Sequence, residues 1–334
     1  MGERNASGRV RRAVLWSGGI CVLVLLLSPL AGASRLDLAK VLAGEAPDRD
    51  ILLYLRLPRT LLAMLAGGCL CLAGSLFQAL LRDALATPYT LGISSGAALG
   101  AVAAICFGWR QAGPLPAVWL AAIAGAAVVL WLVLLISSEG HRLSSFTLLL
   151  TGVTINSICL ALILFLHSFA GFAQSFAISR WLMGGVDSID YASLAMLAAV
   201  VTPPAALILF RSREWNLLAM GEEWATARGL STDQLMRMGY VAASIVIGAV
   251  TALTGPIGFV GLIVPHVLRS RLGSDHRILM PCSILLGAAF LAVCDTIART
   301  LLAPVDVPVG VVTALFGGPF FIWLLRSKRR SLWL

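Results

Sequence analysis

The sequence predicts an all-α, polytopic membrane protein of about ten transmembrane helices with both termini cytoplasmic. Three observations carry that reading. Of 334 residues, 59% are hydrophobic and 12% charged, against about 25% charged in a soluble domain. Mean hydropathy is +0.92. The apolar residues also gather into runs near the ~20 residues that a lipid-crossing helix needs. This composition excludes an ordinary soluble enzyme. It equally excludes a disordered chain, which requires low hydrophobicity.

The runs fall at 13–33, 58–81, 91–108, 116–137, 145–170, 191–210, 238–254, 257–270, 278–298 and 308–325. Arg11 and Arg12, the first run and Ala31-Gly32-Ala33 have the layout of a secretion signal. More apolar runs follow instead of a soluble domain, so the segment reads as the first span. Between the seventh and eighth runs, Gly255-Pro256-Ile257-Gly258 reads as a tight turn or a broken helix. The chain divides into a cytoplasmic tail at 1–12, one transmembrane domain at 13–330 and a tail at 331–334. With the N-terminus inside, 17 of the 25 Lys and Arg side chains face the cytoplasm and 8 face outward. The net charge of +9 is therefore a topology signal and not a nucleic-acid footprint. Arg56 and Arg59 run against the trend, standing together at the outer mouth of the second span.

Several absences narrow the function. All 16 carboxylates fall in loops or at span ends. Ion-coupled carriers usually keep an ionisable residue at membrane depth, although carbonyl sites can bind sodium without one. An ion-coupled secondary transporter of an organic solute is thus the alternative reading. The only lysines are Lys40 and Lys328, and neither lies in a GxxxxGK[ST] loop. Active transport would need a partner to hold ATP. The seven cysteines lie in apolar runs without a CxxC pair and read as packing residues. The four histidines are scattered, His141 and His276 reading as solvated, and no metal site is indicated. No paired carboxylates, HExxH or Ser/His/Asp set supports a membrane enzyme. Gly92, Gly96 and Gly100, with Gly67, Gly68, Gly74 and Ser75 on the preceding run, read as close helix packing within one subunit.

The longest polar interruption is 211–237. Glu222, Glu223 and Ala225 to Arg228 favour a short helix, bracketed by Gly221 and Gly229. Leu217, Leu218 and Leu230 supply apolar contacts. A two-helix unit of this kind can plug a groove on a soluble partner; the plain alternative is a solvated connector.

Six stretches together resemble a known family: LRLPRTLLA at 55–63, AGSLFQAL at 73–80, LATPYTLGISSGA at 85–97, Gly221-Glu222-Glu223, GPIGFVGLIVPH at 255–266 and PVGVVTA at 308–314. From about residue 50 onward the chain is similar to the permease subunits of ABC importers for iron–siderophore, haem or cobalamin, the FecCD/BtuC-like family. It departs from the family pattern at Asp83-Ala84, where Asn-Pro is frequent, at Thr87, where an acid is, and at Arg228, where Leu is commoner.

The resemblance implies a ten-helix subunit in a homodimer, with the pathway on the two-fold axis, in the bacterial plasma (inner) membrane. Two ABC ATPase subunits would bind ATP and Mg on the inside, and a periplasmic or lipoprotein substrate-binding protein would dock outside. No cofactor or metal is implied for this chain itself. Arg56, Arg59 and Arg299 would receive acidic residues of the binding protein, although Arg299 can also pair with Asp295 at i,i+4. Gly221, Glu222, Glu223, Ala225 and Gly229 would form the ATPase coupling element. Asp83, Leu85, Ser145 and Phe146 would form the cytoplasmic gate, and Asn156 would line the pathway. The implied activity is ATP-driven import by alternating access, with an iron(III)–siderophore chelate as first cargo and haem or cobalamin next.

Overall fold

Each of the ten apolar runs is a helix in the computed structural model, which describes residues 2–331 other than 33, 35, 84, 85, 88, 90, 110, 113, 114, 140 and 141. The helices are α1 (Gly2–Leu27), α2 (Leu57–Leu80), α3 (Ile93–Cys106), α4 (Ala117–Ser137) and α5 (Ser145–Ser168). They continue with α6 (Tyr191–Phe210), α7 (Thr232–Thr254), α8 (Val260–Leu272), α9 (His276–Thr300) and α10 (Val309–Ser331). Among the described residues, seven helical segments are long and apolar enough to cross a bilayer unaided. Helix α8 is not one of them. Its 13 residues rise only about 20 Å, and the non-helical Gly255–Gly258 stretch precedes it. That stretch is a break, as its Gly and Pro content indicates.

Some elements were not legible in the hydropathy pattern. An 11-residue helix, Phe172–Leu182, lies between α5 and α6. Residues 48–56 form a helical lead-in of α and π turns that runs directly into α2, so the helical segment extends from Asp48 to Leu80. Two antiparallel ladders, of two residues a strand, close the turns around α4. Helix α7 begins at Thr232 and shortens the cytoplasmic loop accordingly.

Packing centres on α2. Its most apolar window is 83% buried, whereas that of α1 is 17% buried. The difference follows from side-chain size. Gly67 of α2 lies on the Gly287 carbonyl of α9, and Gly74 lies on the Gly261 carbonyl of α8, so close that a Cβ at either position would overlap backbone. Small residues allow this approach. Ser75 Oγ, 3.2 Å from Ser283 Oγ, and Cys71 Sγ, 3.3 Å from the Val260 carbonyl, spend their polarity inside the same contact. Helices α3 and α4 repeat the device, with Gly96 against Gly125 and Gly100 against Ala121. The GxxxGxxxG row therefore serves packing within the subunit.

A substitution of Gly74 by Val should lower the thermal midpoint of the purified protein, with an overpacking cost of about 1–3 kcal/mol. Gly273→Val is not an adequate control, because its φ of +89° strains any side chain; Gly19→Val, in open space on α1, is. Thermal scans that show equal midpoints for Gly74→Val and Gly19→Val would remove α2 from its central place.

Candidate coupling and gating site

The cytoplasmic loop folds as a helical hairpin, Ser212–Met220 and Glu222–Ala227. Gly221 joins the two at φ +132°, a conformation that side chains disfavour. The second helix closes as a Schellman turn: Gly229 N–H donates to the Thr226 carbonyl (2.9 Å), and Leu230 N–H donates to the Ala225 carbonyl (3.1 Å). The bracketing glycines thus act as the sequence indicates.

Three contacts fasten this hairpin to the bundle. Trp215 is fully buried against Gly239 of α7, where Leu80 of α2 also approaches, and its Nε1 donates to the Ile208 carbonyl at 2.8 Å. Asn216 Nδ2 donates to Asp275 Oδ1 (2.7 Å), while Asn216 Oδ1 accepts from the His276 backbone N–H (2.8 Å) and lies 2.7 Å from His276 Nδ1. An amide oxygen can only accept, so Nδ1 carries the proton. His276 is therefore buried at 3% exposure and not solvated, because it caps the hairpin against the start of α9. The third contact is Glu222, whose Oε1 accepts from Arg82 Nη2 at 2.9 Å and lies 3.4 Å from Ser145 Oγ. Ser145 Oγ donates to the Leu80 carbonyl at the end of α2, 3.0 Å away. Asp233 Oδ1 accepts from Leu143 N–H at 3.0 Å, tying the start of α7 to the α4–α5 turn.

Together these side chains surround a cytoplasmic cavity of about 790 Å³ lined by Arg82, Ser145, Phe146, Glu222, Glu223 and Asp233. The Arg82–Glu222 pair is partly solvated, at 42% and 37% side-chain exposure. Such pairs contribute only about 0–1 kcal/mol. The bridge thus positions the hairpin against the ends of α2 and α5 more than it stabilises the fold.

At the opposite end of α2 the three outer arginines meet. Arg59 Nε donates to Asp295 Oδ1 at 3.0 Å, and Nη1 donates to Asp306 Oδ2 at 2.9 Å. Arg299 Nε lies 3.5 Å from Asp295 Oδ2, the i,i+4 pairing, and its Nη2 donates to the Ser28 carbonyl at 2.5 Å. Arg56 is 7% exposed and donates to the carbonyls of Leu30 (3.0 Å) and Ser34 (2.6 Å). All three border a cavity of about 230 Å³ with Ser34, Ser188 and Asp306. Asp295 amends the carboxylate inventory: it sits inside α9, fully buried, between two guanidiniums. Asp306 is the acid of this cluster that faces solvent, at 42% exposure.

The model for the FecCD transport family matches residues 20–327. This chain belongs to that family. It is 36% identical over 331 residues, 97% of this chain and 99% of the relative, to the hemin transport system permease protein HmuU of Yersinia pestis. It is 38% identical over 327 residues, 96% of both chains, to the vitamin B12 import system permease protein BtuC of Klebsiella pneumoniae. A solved metal-chelate type ABC transporter in an inward-facing conformation superposes with a TM-score of 0.84 at 27% identity, covering 95% of this chain and 99% of that one. The fold is thus that of a BtuC-like importer permease. The chain is the permease subunit of an ATP-driven importer, a non-catalytic, multi-pass protein of the bacterial inner membrane.

Within this FecCD permease the residues singled out from sequence separate clearly. Glu222, Ser145 and Phe146 line one cavity. Asp83 is exposed beside Arg82, and Leu85 lies outside the described residues. Ala225 is fully buried, whereas Glu223, Trp224 and Gly229 are the exposed members. Asn156 is half-buried on α5, with its backbone beside Gly92 of α3. Sequence reasoning missed Arg82, Trp215, Asn216 and the burial of His276. The sequence separation of 140 between Arg82 and Glu222 leaves no local pattern to read.

Truncating Asp295 to Ala should destabilise the permease by about 3–5 kcal/mol, because two guanidiniums lose a buried partner. Asp306→Ala should cost no more than about 1 kcal/mol, the range of a surface pair. Thermal midpoints of the two variants that shift equally would refute this division of roles.

Proposed function

We propose that the permease works as a homodimer, each copy seated by its 211–230 hairpin on a separate ATPase subunit that binds ATP and Mg. A substrate-binding protein would deliver the cargo to the outer face, and the coupling residues would be Gly221, Glu222, Glu223, Ala225 and Gly229. The single observation that carries this reading is Glu222 held between Arg82 and Ser145. It joins the hairpin to the inner ends of α2 and α5, where Asp83, Leu85, Ser145 and Phe146 would gate the pathway lined by Asn156. Movement of the hairpin would then bear directly on the gate. Met220 and Trp224, 66% and 65% exposed, give the hairpin an apolar outer face for the ATPase.

The proposed cargo is a metal chelate: an iron(III)–siderophore complex, haem or cobalamin. The names of the relatives support that class, and the first of the three is the leading candidate. Docking of the binding protein would use Arg56, Arg59 and Arg299. Internal carbonyls and Asp295 already hold Arg56 and Arg299. Arg59 is itself paired with Asp295 and Asp306, so a docking carboxylate would reach it at the solvent-facing edge by exchanging with Asp306, where the charge sets register and on-rate.

Vesicles carrying the permease, its ATPase and its binding protein should take up one of the three labelled chelates only when ATP is supplied on the ATPase side. Filling at an equal rate without nucleotide would defeat the proposal. So would ATP-dependent stimulation with none of the three chelates. Reversal of Arg59 to Glu also strands Asp295, so it is compared with Asp295→Ala. Docking of the loaded binding protein should weaken more in Arg59→Glu than in Asp295→Ala, and an equal loss or an unchanged docking affinity would reassign the outer cluster to structure alone.

A further inference from the structure

The hairpin end of the bundle holds a second cavity, unrelated to the gate. Between α1, α8 and α9 lies a groove of about 640 Å³. Ile20, Leu268 and Leu286 form part of an apolar wall, while Arg12, Arg271 and Asp275 stand at its polar rim. Its depth is set by Asp275, which also bonds Asn216 of the cytoplasmic hairpin. The groove therefore opens at the inner boundary of the bilayer. Trp16 borders it and is 75% exposed, at the level where indoles settle between headgroups and acyl chains. Helix α1 is the least enclosed wall, with only 17% of its apolar window buried, so the groove is open to lipid and not sealed within protein.

We propose that this groove holds an anionic phospholipid of the inner leaflet. An acyl chain would lie along Ile20 and Leu286, and the headgroup phosphate would sit between Arg12 and Arg271. The guanidinium fork matches a phosphate, and basic pockets between spans on the cytoplasmic side favour anionic headgroups. At the same rim Asp275 Oδ1 accepts from Asn216 Nδ2 at 2.7 Å and from the Arg277 backbone N–H at 3.0 Å, which holds this carboxylate to the hairpin and to the start of α9. The occupant is a lipid and not a soluble anion, because the wall below the rim is apolar and its outer side faces the bilayer.

Native mass spectrometry of the full-length permease tests the assignment. The protein is equilibrated with equal amounts of phosphatidylglycerol and phosphatidylcholine of identical chains. Phosphatidylglycerol should be retained preferentially, and Arg12→Gln with Arg271→Gln should reduce that preference by about tenfold or more. Ile20→Trp, on a half-exposed position, should lower retention of both lipids by narrowing the apolar slot. Brominated phosphatidylglycerol should quench the emission of the wild type more than that of Trp16→Phe. Equal retention of the two lipids, or a preference untouched by the arginine changes, overturns the proposal. Displacement of bound lipid by millimolar glycerol 3-phosphate would make the site one for a free phosphate. Cross-linking from Trp16→Cys to a second copy or to the ATPase would make the groove a protein interface, and either result overturns the lipid assignment.

Discussion

Backbone lies directly on backbone where α2 crosses α8 and α9, through Gly74 on Gly261 and Gly67 on Gly287. No side chain intervenes there to yield. Close-packed interiors respond to stress by switching between discrete arrangements and not by deforming continuously. Relative movement of α2 against α8 and α9 would therefore need a switch of this backbone contact rather than a yielding of side chains. The two ends of α2 carry the polar chemistry of the molecule: Arg59 at the outer end and the Leu80 carbonyl, followed by Arg82, at the inner end. The glycine contact thus lies midway along a helix that joins two sites a membrane apart.

The two ends use charge in opposite ways, and magnitude decides between them. Outside, Asp295 is enclosed with Arg59 and Arg299. Removing one member of such a cluster strands a buried charge, at several kcal/mol. That cluster fastens α2 to α9 and to the loop bearing Asp306. Inside, Glu222 and Arg82 are wetted by solvent, and their pairing contributes little to stability. A weak, exposed bridge can open and close within a transport cycle, which a buried one cannot do without unfolding cost. The hairpin itself is held more firmly by Trp215 and by the Asn216–Asp275–His276 set. Movement imposed on the hairpin is thereby shared with α9 as well as with α2.

The spans were legible because lipid, as a solvent, demands long apolar helices with every backbone group bonded internally. The hairpin's second helix was legible because Gly221 and Gly229 mark its ends, and both take positive φ. The helix Phe172–Leu182 was not, since its 11 residues sit between two apolar spans. One local cue existed, Gln174 three residues after Gly171, whose Oε1 accepts from the Gly171 N–H at 2.9 Å. His276 reads as solvated in its polar stretch of sequence, and tertiary packing turns it inward. Asp295 was placed at a span end, which is true of its position in the chain but not of its carboxylate. Pairings between distant segments, Arg59 with Asp306 and Arg82 with Glu222, have no one-dimensional signature.

Coupling of hairpin to gate rests most directly on the Arg82–Glu222 bridge, and exchanging its charges interrogates that bridge alone. Transport per ATP hydrolysed is measured in reconstituted vesicles for Arg82→Glu, for Glu222→Arg and for the two combined. Each single reversal places like charges together and should lower the ratio by about tenfold, within the ~1–3 kcal/mol range of coupling free energies. The exchanged pair should recover most of the loss. A ratio unchanged by the single reversals, or no better in the exchanged pair than in either alone, would contradict the claim that Glu222 links the hairpin to the gate.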